Sequence, residues 1–475
     1  MKNVQLPQQA ILAKKNSSKK NVLLQQALLL LPFIFLIFMS SCKKTLQDAP
    51  ATVAEEGLST TLSAVGNGNI GINVLLNTAV TNTIVNELKT YGNLIKIFPE
   101  IKALTMLIAR NKLSAINALT YVIAANPDSE RKGSPVDAVA VTNFAGGIST
   151  WNLDAINVTQ AGIGRTVAQD GTGVFVGVLD TGLPDSWRQY FPEERIAVQY
   201  AKSFGGGGGE VGTVSEQPNK WEHDQNGHGG HVTSTIIGFK IGNTLVNGVA
   251  PKATIIPVKI LSQSGWGWSS VITQGVLYIA SLKAGVLSNS PVIINMSLGG
   301  PEVDAVERAA MDYAISKGVI IVAAAGNSGE LGMLYPGAYG PVISAAAAGL
   351  KAEFSMPNWW RTLDVPDPTN TNDFYLAGFS SRSLPGQDLD VTAPGSLVVG
   401  PYQLNSGQLS YFYLSGTSMA CPHVAGIVAL MAQKKSTLTS AEAETILQNA
   451  ALPMSAGASA AGSGFITANA ALDAL

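Results

Sequence analysis

Five apolar, β-rich runs recur through the second half of the chain and just before it: GVFVGVLD (173–180), TIIPVKIL (254–261), PVIINMSL (291–298), GVIIVAAAG (318–326) and PVISAAAAG (341–349). Between them lie stretches of helical periodicity such as VDAVERAAMDYAISKG (303–318). A strand that is apolar on both faces has no face to show to water, so these runs predict an α/β domain, a parallel sheet covered by helices on both faces. In such sheets ligands bind beyond the carboxyl ends of the strands. The residues to read first are therefore Asp180, which ends the first run, Ser297 to Gly300, which end the third, and Asn327, which follows the fourth.

The 475 residues, 46% hydrophobic and 13% charged, suit a packed globular protein. With 30 basic against 32 acidic residues the chain has no electrostatic pull toward nucleic acid, and none is expected as a partner. The N-terminus carries a different signal. Lys2, Lys14, Lys15, Lys19 and Lys20 precede the apolar run ALLLLPFIFLIFM (27–39), which is too short for an ordinary membrane span and suits the core of an export signal. SSCKK follows, and small residues directly before Cys42 resemble a bacterial lipoprotein signal. Residues 1–41 are then a signal peptide, Cys42 is lipidated and holds the mature chain to a membrane, and residues 42–67 form a tether. Removal of five lysines and no acid takes the formal charge from −2 to −2 − 5 = −7.

From 68 to 130 the pattern reads strand, helix, strand, strand, helix, strand: INVLLNTAV (72–80), TNTIVNELKTYG (81–92), NLIKIFP, KALTMLIAR, NKLSAINALT (111–120) and YVIAANPD (121–128). That order fits a small α+β unit of ferredoxin-like type. The polar stretch NPDSERKGSP that follows reads as a linker.

Four motifs then occur in order: VGVLDTG (176–182), NGHGGHV (226–232), AAAGNSG (323–329) and GTSMACPHVAG (416–426). Taken singly, an Asp at a strand end or one His is usually structural. Together they resemble the subtilisin-like serine protease family over residues 151–475. Carried over residue by residue, the resemblance implies Ser418 as nucleophile, His228 as general base, Asp180 as its orienting carboxylate and Asn327 as oxyanion-hole donor. The residue types suit acyl transfer: imidazole titrates near neutral pH and can take the serine proton and return it to the leaving amine. Gly230 departs from the family pattern, which has Thr there. His231 and His423 match non-catalytic positions, and Cys421 reads as a buried inert thiol.

The resemblance extends to substrate binding. Ser297, Leu298, Gly299 and Gly300 match the edge that pairs with an extended substrate backbone, and Ala324, Ala325 and Gly326 match a wall of the primary pocket. Leu334 falls where a glycine often forms the pocket floor, which implies a shallower pocket. Trp266 and Trp268 match the rim of a more remote pocket, and the expected preference is broad, for apolar residues before the cut bond. The insertions at 200–222 and 351–376, the second with Trp359, Trp360, Asp364, Asp367 and Asp373, are read as bordering the cleft or holding a structural calcium. No metal ligands are assigned, and catalysis needs no cofactor. Family members are commonly made with a ferredoxin-like propeptide, so residues 68–130 are expected to act as an intramolecular inhibitor, with processing within the linker 131–150. The protein is then an exported, lipid-anchored peptidase of a bacterial envelope or cell surface, released if the cut frees it.

Three rivals are weaker. A zinc site on His223, His228 and His231 lacks the helical spacing and the glutamate of a zinc protease, and Gly229 and Gly230 weaken a helix there. Dinucleotide binding at GIGRT or GTGVFVG lacks the full glycine fingerprint. A catalytically inactive, lipid-anchored binding protein on the same fold is the remaining alternative.

Overall fold

The first apolar run becomes a strand whose residues split between two faces. Val176 and Val178 pack with Val232 and Val424 on one side of the sheet, while Leu179 packs with Ile256 and Ile279 on the other. A computed structural model describes residues 68–475, apart from 134, 141–148, 161–163, 208–211, 364, 366–369 and 403–409. The signal, the tether, Cys42, Asp364 and Asp367 lie outside the described residues.

The N-terminal module comprises β1 (Asn69–Leu76), α1 (Asn82–Leu88), β2 (Gly92–Phe98), β3 (Ala103–Ala109), α2 (Leu113–Asn117) and β4 (Val122–Pro127). Its four strands run in the order β2-β3-β1-β4, with β1 antiparallel to both neighbours. Period-2 alternation explains the faces. Ile72, Val74 and Leu76 join Leu104, Met106 and Ile108 against Ile84 and Leu88 of α1 and Ile116 of α2. Asn73 and Thr105 take the opposite face, where the Thr105 hydroxyl donates to Asn73 Oδ1 at 2.7 Å. Thr81 caps α1 by accepting from the Ile84 N–H at 3.3 Å.

The stretch 131–150 read as a linker holds two strands, β5 (Glu130–Lys132) across its start and β6 (Asp137–Ala140) further in. The larger domain opens with α3 (Trp151–Ala155) and a hairpin of β7 (Thr159–Gln160) and β8 (Gly164–Arg165). Next come β9 (Phe175–Asp180), α4 (Trp187–Tyr190), β10 (Lys202–Gly205), β11 (Ser215–Glu216) and α5 (His228–Ile237). A second hairpin, β12 (Phe239–Ile241) and β13 (Thr244–Val246), leads to β14 (Thr254–Lys259), β15 (Trp266–Trp268) and α6 (Ser269–Ala284). β16 (Val292–Met296), α7 (Ala305–Ser316), β17 (Val319–Ala324), β18 (Ile343–Leu350), α8 (Trp359–Thr362) and β19 (Phe374–Leu376) follow. The domain ends with β20 (Val391–Pro394), β21 (Val398–Pro401), β22 (Tyr411–Ser415), α9 (Thr417–Lys434) and α10 (Ser440–Ala450), followed by two short helices.

The central sheet has the order β11-β10-β14-β9-β16-β17-β18-β19, with β20 also paired to β18. The five runs read from sequence are the five adjacent strands β14, β9, β16, β17 and β18, all mutually parallel. Buried apolar residues of α5 and α9 cover one face and those of α6 and α7 the other. Among the described residues no helix is long and apolar enough to cross a membrane. Within the second insertion Trp359 and Trp360 are buried, and Trp359 stacks on Tyr413 at 5.8 Å and 11°.

Polar contacts and apolar packing join the module to the larger domain. Asn73 Nδ2 donates to Asp304 Oδ2 at 2.8 Å, and Asp128 accepts from the Ser270 backbone N–H at 2.9 Å. Asp304 itself caps α7 by accepting from Val306 and Glu307. The module thus sits across the N-termini of α6 and α7, where carboxylates are favoured, and Phe98 and Ile101 complete the apolar core beneath them.

Candidate active site

Asp180 is the last residue of β9 and His228 the first of α5, so a strand's carboxyl end and a helix's amino end bring them together. Both side chains are fully buried. His228 Nδ1 donates to Asp180 Oδ1 at 2.8 Å and to Oδ2 at 3.0 Å. Asp180 Oδ1 also accepts from the Thr181 N–H at 2.7 Å. Nδ1 is thereby committed as the protonated nitrogen, and Nε2 remains as the ring's base and has no hydrogen-bond partner.

Two glycines in the first turn of α5 have different causes. A Cβ on Gly229 would sit 2.3 Å from the Gly182 carbonyl oxygen, and one on Gly230 would press Pro184 Cδ at 3.2 Å. The departure at Gly230 therefore makes room for Pro184 and leaves the His228–Asp180 bonds intact.

Sequence reading missed the support behind this pair. The buried Asp224 accepts from the Thr181 hydroxyl at 2.7 Å and from the Asn226 and Gly227 N–H groups at 2.9 Å, holding the turn that enters α5. Thr181 Oγ1 also accepts from the Gly229 N–H at 2.9 Å, and Lys259 Nζ donates to the Thr181 carbonyl. Burial pushes Asp224 up to about 6, with Lys259 pulling the other way, and burial lowers Lys259. The local signal was present as an Asp three residues before a glycine at a helix start.

Ser418 is the second residue of α9, and Gly416 at its N-cap has φ 156°. The Ser418 hydroxyl donates to the Ser297 carbonyl at 3.1 Å, and the Ser297 hydroxyl returns a bond to the Ser418 carbonyl at 2.8 Å. Asn327 Oδ1 accepts from the Thr417 N–H and hydroxyl, each at 2.9 Å, which leaves its Nδ2 as the donor end. Asn327 lines one pocket with Ser418, Leu298, Gly299 and Leu334. Leu334 presses on both walls: its Cγ is 2.5 Å from where a Gly326 Cβ would stand, and its Cβ 2.7 Å from that of Gly299. Ala324 and Gly326 line this pocket too. Ala325 instead faces an apolar cluster with Met333, Ala338, Ala346 and Leu389. Consecutive residues of an extended segment point to opposite sides, so only alternate members of the expected wall reach the pocket.

A segment of the chain itself lies in this cleft. Lys132 and Gly299 exchange both backbone bonds at 3.0 Å, and the Gly133 N–H donates to the Gly265 carbonyl at 2.9 Å. β5 is antiparallel to β15, with Trp266 opposite Lys132 and Trp268 opposite Glu130. The tryptophans therefore meet the strand through their backbone, and their rings pack edge to face at 5.8 Å. Gly133 lies on the imidazole: a Cβ there would stand 3.3 Å from His228 Cε1 and 2.9 Å from the Ser297 carbonyl. Pro135 and Val136 line the pocket beside Ser418, the Val136 N–H donates to the Ser415 carbonyl, and β6 pairs with β22.

The remaining histidines are held elsewhere. His231 donates from Nε2 to the Val398 carbonyl at 3.0 Å, and burial pushes it down to about 3. His423 donates from Nδ1 to the Met419 carbonyl and accepts at Nε2 from Asn152, with burial lowering it to about 4. His223 is exposed and pairs with Asp185 at 2.5 Å. The three histidines of the zinc alternative thus have three separate partners. Cys421 is buried, its Sγ 3.2 Å from Asn295 Oδ1, and burial raises its thiol.

Among the described residues one acidic group has metal-binding spacing: Asp388, Asp390 and Glu444. Calcium asks for six to eight oxygens. Both Asp390 oxygens are already engaged, Oδ2 by the Ser344 N–H and hydroxyl and Oδ1 by Gln448 Nε2. Burial first, then the neighbouring carboxylates, pushes Glu444 up to about 7. With Asp390 so engaged the group does not fit a calcium cage, and no step of the chemistry depends on it.

A buried Asp–His pair, a serine at a helix start and an amide beside it, at the carboxyl edge of a parallel sheet, define a serine hydrolase site of subtilisin type. The family model described as the subtilase family matches residues 171–469, more than half of the chain, and the chain belongs to that family of serine endopeptidases. It is 32% identical over 290 residues to a thermostable alkaline protease of Halalkalibacterium halodurans, covering 61% of this chain and 64% of the relative. It is 33% identical over 325 residues to subtilisin Savinase of Lederbergia lenta, covering 68% and 97%. Fervidolysin from Fervidobacterium pennivorans, a keratinolytic enzyme related to subtilisin, matches 86% of this chain and 61% of its own with a TM-score of 0.62 at 23% identity, a likeness of fold. The chain thus spans just under two thirds of the Halalkalibacterium protease and of fervidolysin.

Proposed function

We propose that this subtilase is an exported endopeptidase that cuts polypeptides through an acyl-enzyme on Ser418. The observation that carries the reading is the buried His228–Asp180 pair, whose two bonds fix the tautomer and leave Nε2 as the base. Ser418 Oγ attacks the scissile carbonyl as Nε2 takes its proton. The oxyanion is met by Asn327 Nδ2 and by backbone N–H groups at the start of α9. His228 then returns the proton to the departing amine, and a water repeats the sequence to free the acid. No cofactor enters these steps.

Leu334 in the pocket supports a preference for small or medium apolar residues before the cut bond. The pairing of β5 and β6 with the cleft edges supports an inhibitory role for residues 68–130 and processing within 131–150. Cys42, after an apolar signal-like run, supports a lipid anchor that such a cut would release.

One observation favours the inactive alternative: Ser418 bonds to Ser297, and Nε2 of His228 has no partner. Treating the full-length protein with a fluorophosphonate after an incubation that allows self-processing separates the two readings. Covalent labelling that disappears in Ser418→Ala supports the peptidase; no labelling of the wild type supports the inactive protein.

A further inference from the structure

Arg131, the middle residue of β5, has a fully buried side chain, and so has its partner Glu307 on α7. Its guanidinium forms a fork, Nε donating to Glu307 Oε1 at 3.0 Å and Nη2 to Oε2 at 2.7 Å. Further donors reach the Glu302 carbonyl and the Glu130 carbonyl, both at 3.0 Å. The Tyr339 hydroxyl stands 3.4 Å from Glu307 Oε2 and is tied to Asp304. The pocket is thus built from the larger domain, from Glu302, Asp304, Glu307 and Tyr339, while the cation comes from the segment lying in the cleft.

We propose that Glu307 determines specificity: it is the floor of a subsite that selects arginine in the substrate residue aligned with Arg131. The inference rests on the peptidase reading above, in which β5 marks the path of an extended substrate. When β5 leaves, Glu307 loses its cation, and the nearby Asp304 is of the same sign. A buried carboxylate without its cation is costly, so the site favours a ligand that restores the pair. Arginine suits it better than lysine, because a planar fork meets both carboxylate oxygens at once. Gly133 lies on His228 and Pro135 lies beside Ser418. In a substrate of the same register, with the cut bond following the position of residue 134, the selected arginine is the fourth residue before the cut.

The test is cut-site profiling. Full-length protein, allowed to process itself, is incubated with a peptide library, and the cut sites are read by mass spectrometry. Arginine is expected to be enriched on the order of tenfold at the fourth position before the cut, and lysine less. The double variant Arg131→Leu with Glu307→Leu, which replaces the buried pair by apolar groups and so preserves packing, is expected to lose that enrichment. Wild-type cuts without arginine enrichment, or enrichment that survives the double variant, overturn the proposal. The wild-type arm decides alone if the variant does not fold. Absence of any cut that depends on Ser418 overturns the peptidase reading, and this inference with it.

Discussion

The hydroxyl of Ser418 is bonded to the carbonyl of Ser297 at 3.1 Å while Nε2 of His228 stands without a partner. With β5 in the cleft, Ser418, the proposed nucleophile, is turned to the Ser297 carbonyl just past β16 rather than to His228. General-base assistance contributes roughly 10²–10⁴-fold. Fluorophosphonate labelling of Ser418 is therefore expected to be slower by on the order of a hundredfold in the uncut chain than after processing. Quenched time points resolved by gel, where cut and uncut chains separate, give both rates; equal rates exclude this arrangement as the inhibited state.

Asn327 has two tasks, anchoring Thr417 through Oδ1 and offering Nδ2 to the cleft. In the proposed mechanism only the second acts on the transition state. Asn327→Ala is expected to lower kcat by roughly 10²–10³-fold with little change in KM. Steady-state kinetics on a peptide substrate check this, and a rise in KM at constant kcat points instead to uniform binding, made equally in the ground and transition states.

Leu334 occupies the space between the Gly299 and Gly326 walls. Leu334→Gly deepens the pocket and is expected to shift kcat/KM toward Phe or Tyr before the cut, relative to Ala, by on the order of tenfold. A wild type that already prefers Phe or Tyr over Ala and Leu contradicts the shallow pocket.

Gly133 has no room for a side chain, with Leu261 Cδ1 at 2.8 Å and the Ser297 carbonyl at 2.9 Å from a would-be Cβ. In a Ser418→Ala background, which cannot cut itself, Gly133→Val is expected to lift the segment out of the cleft. Trypsin cleavage after Lys132 should then accelerate at least severalfold, since proteolysis follows the population of the open state. Unchanged protection of that bond shows that the segment tolerates the added bulk.

The legible part of this protein was local. The five sheet strands announce themselves because a doubly covered strand must be apolar throughout, and Asp180, His228, Asn327 and Ser418 stand in short motifs. The path of the chain from Glu130 to Ala140 was not legible, because backbone pairing leaves no side-chain pattern, and NPDSERKGSP has the composition of a linker. The Arg131–Glu307 pair spans 176 positions and carries no local cue. Ala325 was hidden for a simpler reason: the wall segment is extended, and its middle residue packs in the core.

Glu444 on α10 supplies a pH dependence whose sign can be worked out. Burial, then Asp390 and Asp388, raises its carboxyl from the ordinary 4.5 to about 7, and burial also raises Asp390 from 3.8 to about 6. A carboxyl raised by folding binds its proton more tightly in the folded state. Its contribution to stability is therefore complete below the unfolded value and is lost as pH climbs through the folded one. Thermal stability is expected to decline between about pH 4.5 and 7, in part through this group. Gln448 Nε2 already satisfies Asp390 Oδ1, so the Asp390 contribution persists when Glu444 is changed. Glu444→Gln keeps the shape and removes the charge, so its Tm should exceed that of the wild type above pH 7, and the variant's decline with pH should be shallower. Scanning calorimetry of Ser418→Ala and Ser418→Ala/Glu444→Gln across this range avoids self-digestion, and parallel pH profiles for the two sink the assignment.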